Sequence, residues 1–390
     1  MRHALFLALA YMRFHRGKSL ALIVSIALIA AVPAATRIVL QASERALSQR
    51  AETSPLVLGA RGSALDLTLA ALYFTNAPPT TIPFAASEAV WDSGLATAIP
   101  LSVGFTAKGL PVVGTTLDYF DYRGLAVASG RPLGLIGETL LGADAATRLA
   151  LQPGDTLITD AGTLFDLAGS YPLELTVAGV LQPNGTADDG AVFVDLKTAW
   201  IIAGIGHGHE AIKADPNAPG DLPVVASPAI RQFTRITPDN IESFHLHAGS
   251  ETLPLSAVLV VPNDAKSGAI LQGRYLEAGN PYHLIVPAEV IKGLLSTLFR
   301  IGRILDAVVL VVGGAALMAI ALALTLATQL RAPEMQTLFR LGAHRATIAR
   351  ALAAQIGLIL LGGAVLAATL LLPLTYYSSI IAAALVAAAP

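Results

Sequence analysis

"RAPEMQTLFRLGAHRATIAR", residues 331–350, decides how the chain is read, because it sets four arginines and one glutamate between two long uncharged runs. The run before it extends from Ala307 to Leu330 and the run after it from Ala351 to Pro390, neither carrying an ionisable side chain other than tyrosine. At about 1.5 Å per residue, each run is long enough to cross a hydrocarbon core of roughly 30 Å. The charged stretch therefore reads as a loop between two membrane spans.

Composition agrees. The chain has 390 residues, of which 54% are hydrophobic and 13% charged, with a mean hydropathy of +0.64. That is too apolar for an ordinary soluble domain of this length. The net charge of −2 gives no reason to expect a nucleic-acid partner. With no cysteine, the chain has no disulfides, thiolate metal sites or cysteine nucleophile.

A further apolar run, Ser19–Thr36, supplies a first span. Basic residues before an apolar stretch also describe a secretory signal peptide. Here Arg37 and Glu44 follow with only "VPAAT" (32–36) as a weak cleavage site, so the run is read as an anchor. Arg2, Arg13, Arg16 and Lys18 precede it, and the 331–350 loop carries Arg331, Arg340, Arg345 and Arg350 against Glu334. By the positive-inside rule both flanks are cytoplasmic and the long stretch between them is external.

The expected layout is a cytoplasmic segment (1–18), a first span (19–36), external stalks and domain (37–304), a second span (305–330), the cytoplasmic loop (331–350) and a third span (351–372). Pro373 ends or kinks a helix, leaving 373–390 as an apolar tail or a short fourth span. The fold class expected is thus an integral membrane helical bundle of three or four helices with a large α+β external domain between spans one and two.

Ile291, Leu294, Leu295, Leu298, Ile301 and Leu305 recur at helical spacing, which predicts a stalk helix running straight into the second span. Residues 37–50 mirror it less clearly. Between the stalks, "LPVVGTTLDYF" (110–120) and "LELTVAGVLQPNGTADDGAVFVDLKTAW" (173–200) read as strand runs, the second with an Asn-Gly turn signal at Asn184–Gly185. "ETLLGADAATRLALQPGDTL" (138–157) reads as a strand, a helix begun near Gly142 to Asp144, and a turn at Pro153–Gly154–Asp155. "HEAIKADPNAPGDLPVV" (209–225), dense in Pro, Asp, Asn and Gly, reads as an exposed loop.

Residues 331–350 resemble the cytoplasmic loop of the MacB/FtsX/LolC type of ABC-transporter permease. In that loop an Arg-x-x-Glu pair precedes an apolar segment ending in Leu-Gly-Ala-x-Arg. The matching positions are Arg331, Glu334, Met335, Leu338, Arg340, Leu341, Gly342, Ala343 and Arg345. "VVGTTLDYFDYRGLAVASGRPL" (112–133) and "LLGADAATRLALQPGDTL" (140–157) are similar to segments of that family's periplasmic core domain. The family usually has four spans, and the last apolar segment here is short for a fourth.

The resemblance implies a multi-pass protein of the bacterial inner membrane with a periplasmic domain. Two permease copies, identical or different, would pair within the lipid, and a separate ATPase subunit would bind ATP. Its docking site would be the loop, at Arg331, Glu334, Met335, Leu338, Phe339, Arg340, Leu341 and Gly342. Met335, Leu338, Phe339 and Leu341 would offer an apolar surface, and the arginines would meet partner acids or anionic headgroups. No Gly-x-x-x-x-Gly-Lys-[Ser/Thr] loop is present, in keeping with nucleotide chemistry on another chain. The implied function is export or extraction of a substrate. The alternative is a non-transporting subunit that transmits ATP-driven motion to an external, periplasmic partner. No catalytic constellation marks the chain as an enzyme. On composition alone, the loop arginines would serve only to fix topology, and Asp306 would be a solvated interfacial residue.

Five histidines fall between residues 207 and 283, four of them in "HGHE" (207–210) and "FHLH" (244–247). A His-x-His pair on a strand puts both rings on one face, which makes His207, His209, His245 and His247 candidate Zn²⁺ ligands. The plain alternative is a polar loop at 207–210 and, at 244–247, a strand whose alternate residues face solvent.

Overall fold

The computed structural model describes residues 2–75, 80–160, 172–208, 234–246, 248–277, 279–329, 336–337, 339–340 and 344–387. The chain divides into two compact units, one of Met1–Arg45 with Leu294–Ala382 and the other of Ala46–Gly293 with Ala383–Pro390.

The first unit is helical. It draws on α1 (Arg2–Phe14), the first part of α2 (Arg16–Glu52), most of α9 (Pro287–Gln329) and α10 (Arg345–Ala387). Among the described residues, two helices are long and apolar enough to cross a membrane, Arg16–Glu52 and Ala346–Ser378. Small residues let α2 and α10 approach closely. Ala27, Ala31 and Ala367 are buried together, and a Cβ added at Gly363 would lie 2.6 Å from Ile26 Cγ2. As expected, α9 runs without a break from the stalk residues toward the apolar run. Pro373 does not end α10, which continues to Ala387, and Pro33 sits likewise inside α2. In an apolar setting the continued helix satisfies more backbone groups than a broken one would.

The second unit is an α+β domain built on a mixed ten-stranded sheet. Its strands are β1 (Leu56–Ala60), β3 (Ala96–Ala107), β4 (Leu110–Thr115), β5 (Val127–Gly130), β6 (Glu138–Leu141), β7 (Thr156–Ile158), β8 (Glu174–Leu181), β9 (Val192–Asp195), β13 (Ala257–Pro262) and β14 (Tyr282–Ile285). The spatial order is β14-β1-β13-β3-β4-β9-β6-β8-β5, with β7 also on β8. β4 with β9 and β6 with β8 are parallel and the remaining pairs antiparallel. Two short ribbons complete the strands among the described residues: β2 (Ile82–Pro83) with β12 (Pro254–Leu255), and β10 (Gly206–Gly208) with β11 (Phe244–Leu246).

The long strand β3 joins two lobes. Residues 96–101 pair with β13 and residues 102–107 with β4, with an irregularity between Ser102 and Phe105. Gly104, at φ 116°, supplies the conformation that such a bulge needs. Each lobe has its own core. Leu58, Val258, Val260, Leu255 and Leu271 fill one, and Val112, Leu141, Leu175, Val177, Val192 and Val194 fill the other. Helix α7 (Leu196–Ile202) serves both, with Leu196 and Trp200 in the first core and Ala199 and Ile202 in the second. Its approach to β4 is so close that a Cβ at Gly114 would lie 2.3 Å from that of Ala199.

The unit's other helices are α3 (Ala64–Tyr73), α4 (Ala85–Asp92), α5 (Leu117–Arg123), α6 (Ala143–Leu149) and α8 (Ala265–Tyr275). Residues 138–157 follow their expected order of strand, helix and turn, with Gly142 at the N-cap of α6. Two stretches read as strand are helical, residues 117–120 and residues 196–200, the latter in α7, whose N-terminus is capped by Asp195. Residues 117–120 belong to α5, because Gly124 in the left-handed region ends a short helix there and Tyr119 and Phe120 are both buried. The Asn-Gly pair at 184–185 does form a turn, with Gly185 at φ 72°, but it joins no hairpin, since β6 lies between β8 and β9.

Candidate functional site

The last turn of α2 carries Arg50, and only a short turn separates it from β1. β1 pairs with β14, which leads into α9, so the end of α2 and the start of α9 connect to adjacent antiparallel strands.

Arg50 is buried, at 5% exposure, and all five of its N–H donors are used. Nη1 donates to Asp188 Oδ2 at 2.8 Å and Thr186 Oγ1 at 3.0 Å. Nη2 donates to Asp188 Oδ1 at 2.8 Å and to the Tyr119 hydroxyl at 3.0 Å, and Nε donates to the Leu72 carbonyl. Tyr119 in turn donates to Asp188 Oδ1 at 2.7 Å. The Phe74 ring lies 5.4 Å from the guanidinium carbon and packs edge-on against Phe193. One guanidinium thus ties α2 to the end of α3, to α5 and to the 3₁₀ turn Ala187–Gly190.

The electrostatics keep this cluster ionised. Burial works against the Asp188 charge, but Arg50 and the hydrogen bonds from Arg50 and Tyr119 outweigh it and hold the carboxyl at about 2. Burial also opposes the Arg50 charge, and Asp188 again prevails, raising the guanidinium further. Tyr119 is pushed up, first by burial and then by Asp188, and stays a neutral donor.

Neighbouring contacts brace the same point. Tyr73 donates to the Leu47 carbonyl at 2.6 Å, Arg123 Nη2 to Ser54 Oγ at 2.8 Å, and Tyr122 to the Thr53 carbonyl. The turn that presents Asp188 is held by Asp189, which accepts from the backbone N–H of Gly185 at 2.7 Å and of Asn184 at 3.0 Å. It packs on Gly142, where a Cβ would lie 2.2 Å from the Asp188 carbonyl. Sequence reasoning missed this clasp. The signal was "TADDG" (186–190), an acidic pair between two apolar strands, and Arg50 as the last cation before β1.

Of the loop residues singled out above, Phe339 and Arg340 are described and both are exposed, Phe339 by 50%. Arg331, Glu334, Met335, Leu338, Leu341 and Gly342 lie outside the described residues, as does the stretch 209–225. Of the histidines, His207 and His245 are brought together as cross-strand partners of β10 and β11, while His209 and His247 lie outside the described residues. Among the described residues, no group of three or more His, Cys, Asp or Glu is placed to hold a metal ion.

The second unit is an α+β domain that lies in the chain between two long helices and carries a buried ion pair of its own, Arg50 with Asp188. The family model described as the MacB-like periplasmic core domain matches residues 19–233, and the chain belongs to that family. Solved structures similar to the chain include the extracellular domain of the noncanonic ABC-type transporter YknZ from Gram-positive bacteria, with 15% identity and a TM-score of 0.34, covering 59% of this chain and 98% of that one. The periplasmic region of MacB from Actinobacillus actinomycetemcomitans has 11% identity and a TM-score of 0.37, covering 65% and 95%. A domain of a putative permease protein from Porphyromonas gingivalis has 10% identity and a TM-score of 0.27, covering 59% and 84%. No curated protein is significantly similar to the chain.

Proposed function

We propose that the chain is the membrane permease subunit of an ABC-type transporter, and that it converts ATP-driven motion into movement of its external domain. Family membership supports the class, and the observation that carries the mechanism is the Arg50–Asp188 clasp. A helix meant only to tether a domain needs no buried, fully bonded cation at its end. A helix that moves the domain needs a joint that does not slip, and five directed donor bonds supply one.

On this reading α2, α9 and α10 span a bacterial inner membrane, the loop 331–350 faces the cytosol, and two permease copies pair in the bilayer. A separate ATPase subunit docks on the loop and performs the nucleotide chemistry, so this chain is not itself an enzyme. The exposure of Phe339 and Arg340 suits a docking surface. The substrate is exported or extracted on the external side.

The test is co-purification of the tagged chain with its ATPase from mild detergent. Recovery of a P-loop ATPase is expected. The double substitution Glu334→Ala, Leu338→Asp is expected to abolish recovery while leaving membrane insertion normal. Recovery unchanged by that variant would remove the loop as the docking site, and absence of any ATPase across several detergents would remove the permease reading.

A further inference from the structure

The ribbon of β10 and β11 is built around two histidines. Its register sets Gly206 opposite Leu246, His207 opposite His245, and Gly208 opposite Phe244. His207 is therefore the one β10 residue with a side chain. The glycines beside it are required sterically: a Cβ at Gly206 would lie 2.6 Å from Leu246, and one at Gly208 would lie 2.6 Å from the Phe244 ring. Phe244 and Leu246 pack against the two cores of the domain. Strand alternation then turns His207 and His245 to the opposite face, where His207 is half-buried and His245 exposed.

The two rings stand with their centres 5.3 Å apart and their planes at 62°. Zinc binds imidazole nitrogen at about 2.0–2.1 Å with tetrahedral angles, so two imidazoles on one ion hold their ring centres roughly 5 Å apart. His245 Nδ1 lies 3.0 Å from the Ser243 carbonyl. Donating there makes Nε2 the ligating nitrogen and fixes the ring, as the outer partners of metal-bound histidines commonly do.

We propose that His207 and His245 form a two-imidazole chelate for a divalent transition-metal ion of the Zn²⁺ class. Borderline nitrogen ligands favour zinc and its neighbours over magnesium or calcium. Among the described residues the site has two protein ligands, and a tetrahedral ion needs two more donors to complete its shell. The inference does not depend on the transport reading: metal binding here and ATPase docking on the loop succeed or fail separately.

The test uses the full chain in detergent, purified on a histidine-free tag, with Zn²⁺ titrated calorimetrically and Co²⁺ by its visible absorption. One ion per chain is expected. His207→Gln and His245→Gln are each expected to weaken binding at least about tenfold, the loss that even a partner outside the ligand shell produces. Matching thermal unfolding of the variants without metal separates ligand loss from misfolding. Absence of Zn²⁺ binding, binding unchanged in both variants, or loss confined to a His209→Gln, His247→Gln chain would each overturn the proposal.

Discussion

Arg50 and Asp188 illustrate why removing half of a buried ion pair differs from removing both halves. Arg50→Ala strands a carboxylate that is 2% exposed, and such a loss costs about 3–5 kcal/mol. That is the expected drop in denaturant stability, read from the fluorescence of the buried Trp200. The double change Arg50→Met, Asp188→Leu should recover much of it, since apolar residues of similar volume often replace buried pairs without loss. The pH dependence has a definite sign. The folded carboxyl is held at about 2 against an ordinary 3.8, so its contribution is complete above pH 4 and is lost as pH falls toward 2. The gap between the parent chain and Arg50→Ala should narrow across that window. The pairing was not legible in the sequence: "TADDG" and Arg50 can each be picked out locally, but they are far apart in the chain and nothing local joins them.

Among the elements, helices were more legible than strand partners. The 3.6-residue spacing of Ile291 to Leu305 is a local property, and α9 follows it. The order of strand, helix and turn over 138–157 was also local, written in Gly142 and the Pro-Gly-Asp turn. The Asn-Gly pair at 184–185 marked a turn but not which strands pair, because a turn signal describes only the chain near it. β8 instead finds β6, β5 and β7, and that choice rests on burial across the whole sheet. The contact between α2 and α10 gives a prediction of its own. Gly363→Leu, which must displace Ile26, should cost about 1–3 kcal/mol of stability in detergent. Gly357→Leu, whose Cβ meets nothing within 4 Å, should be neutral or better. Thermal unfolding of the two variants compares them directly, and equal effects would discount the packing seen at Gly363.

For the whole molecule, the expected arrangement places the sheet domain in the periplasm and the loop 331–350 in the cytosol, and the absence of cysteine makes this simple to check. Single cysteines at Leu276, which is 78% exposed, and at Phe339 report on the two sides. With the outer membrane made permeable, a bilayer-impermeant maleimide should label Leu276→Cys in intact cells and Phe339→Cys only after lysis. Labelling of both, or the reverse pattern, would overturn the orientation.

By itself the sequence determined the long apolar helices, the alternation of short strands and helices between them, and the resemblance that family membership bears out. These depend on composition and on spacings within a few turns of chain. Tertiary structure alone decided the order of the ten strands, the bond from α2 to a turn more than a hundred residues away, and the pairing of His207 with His245. Each of these is a choice among distant partners. Local propensity is indifferent to that choice, which is made by the burial of two shared cores and by the cost of leaving a charge without its partner.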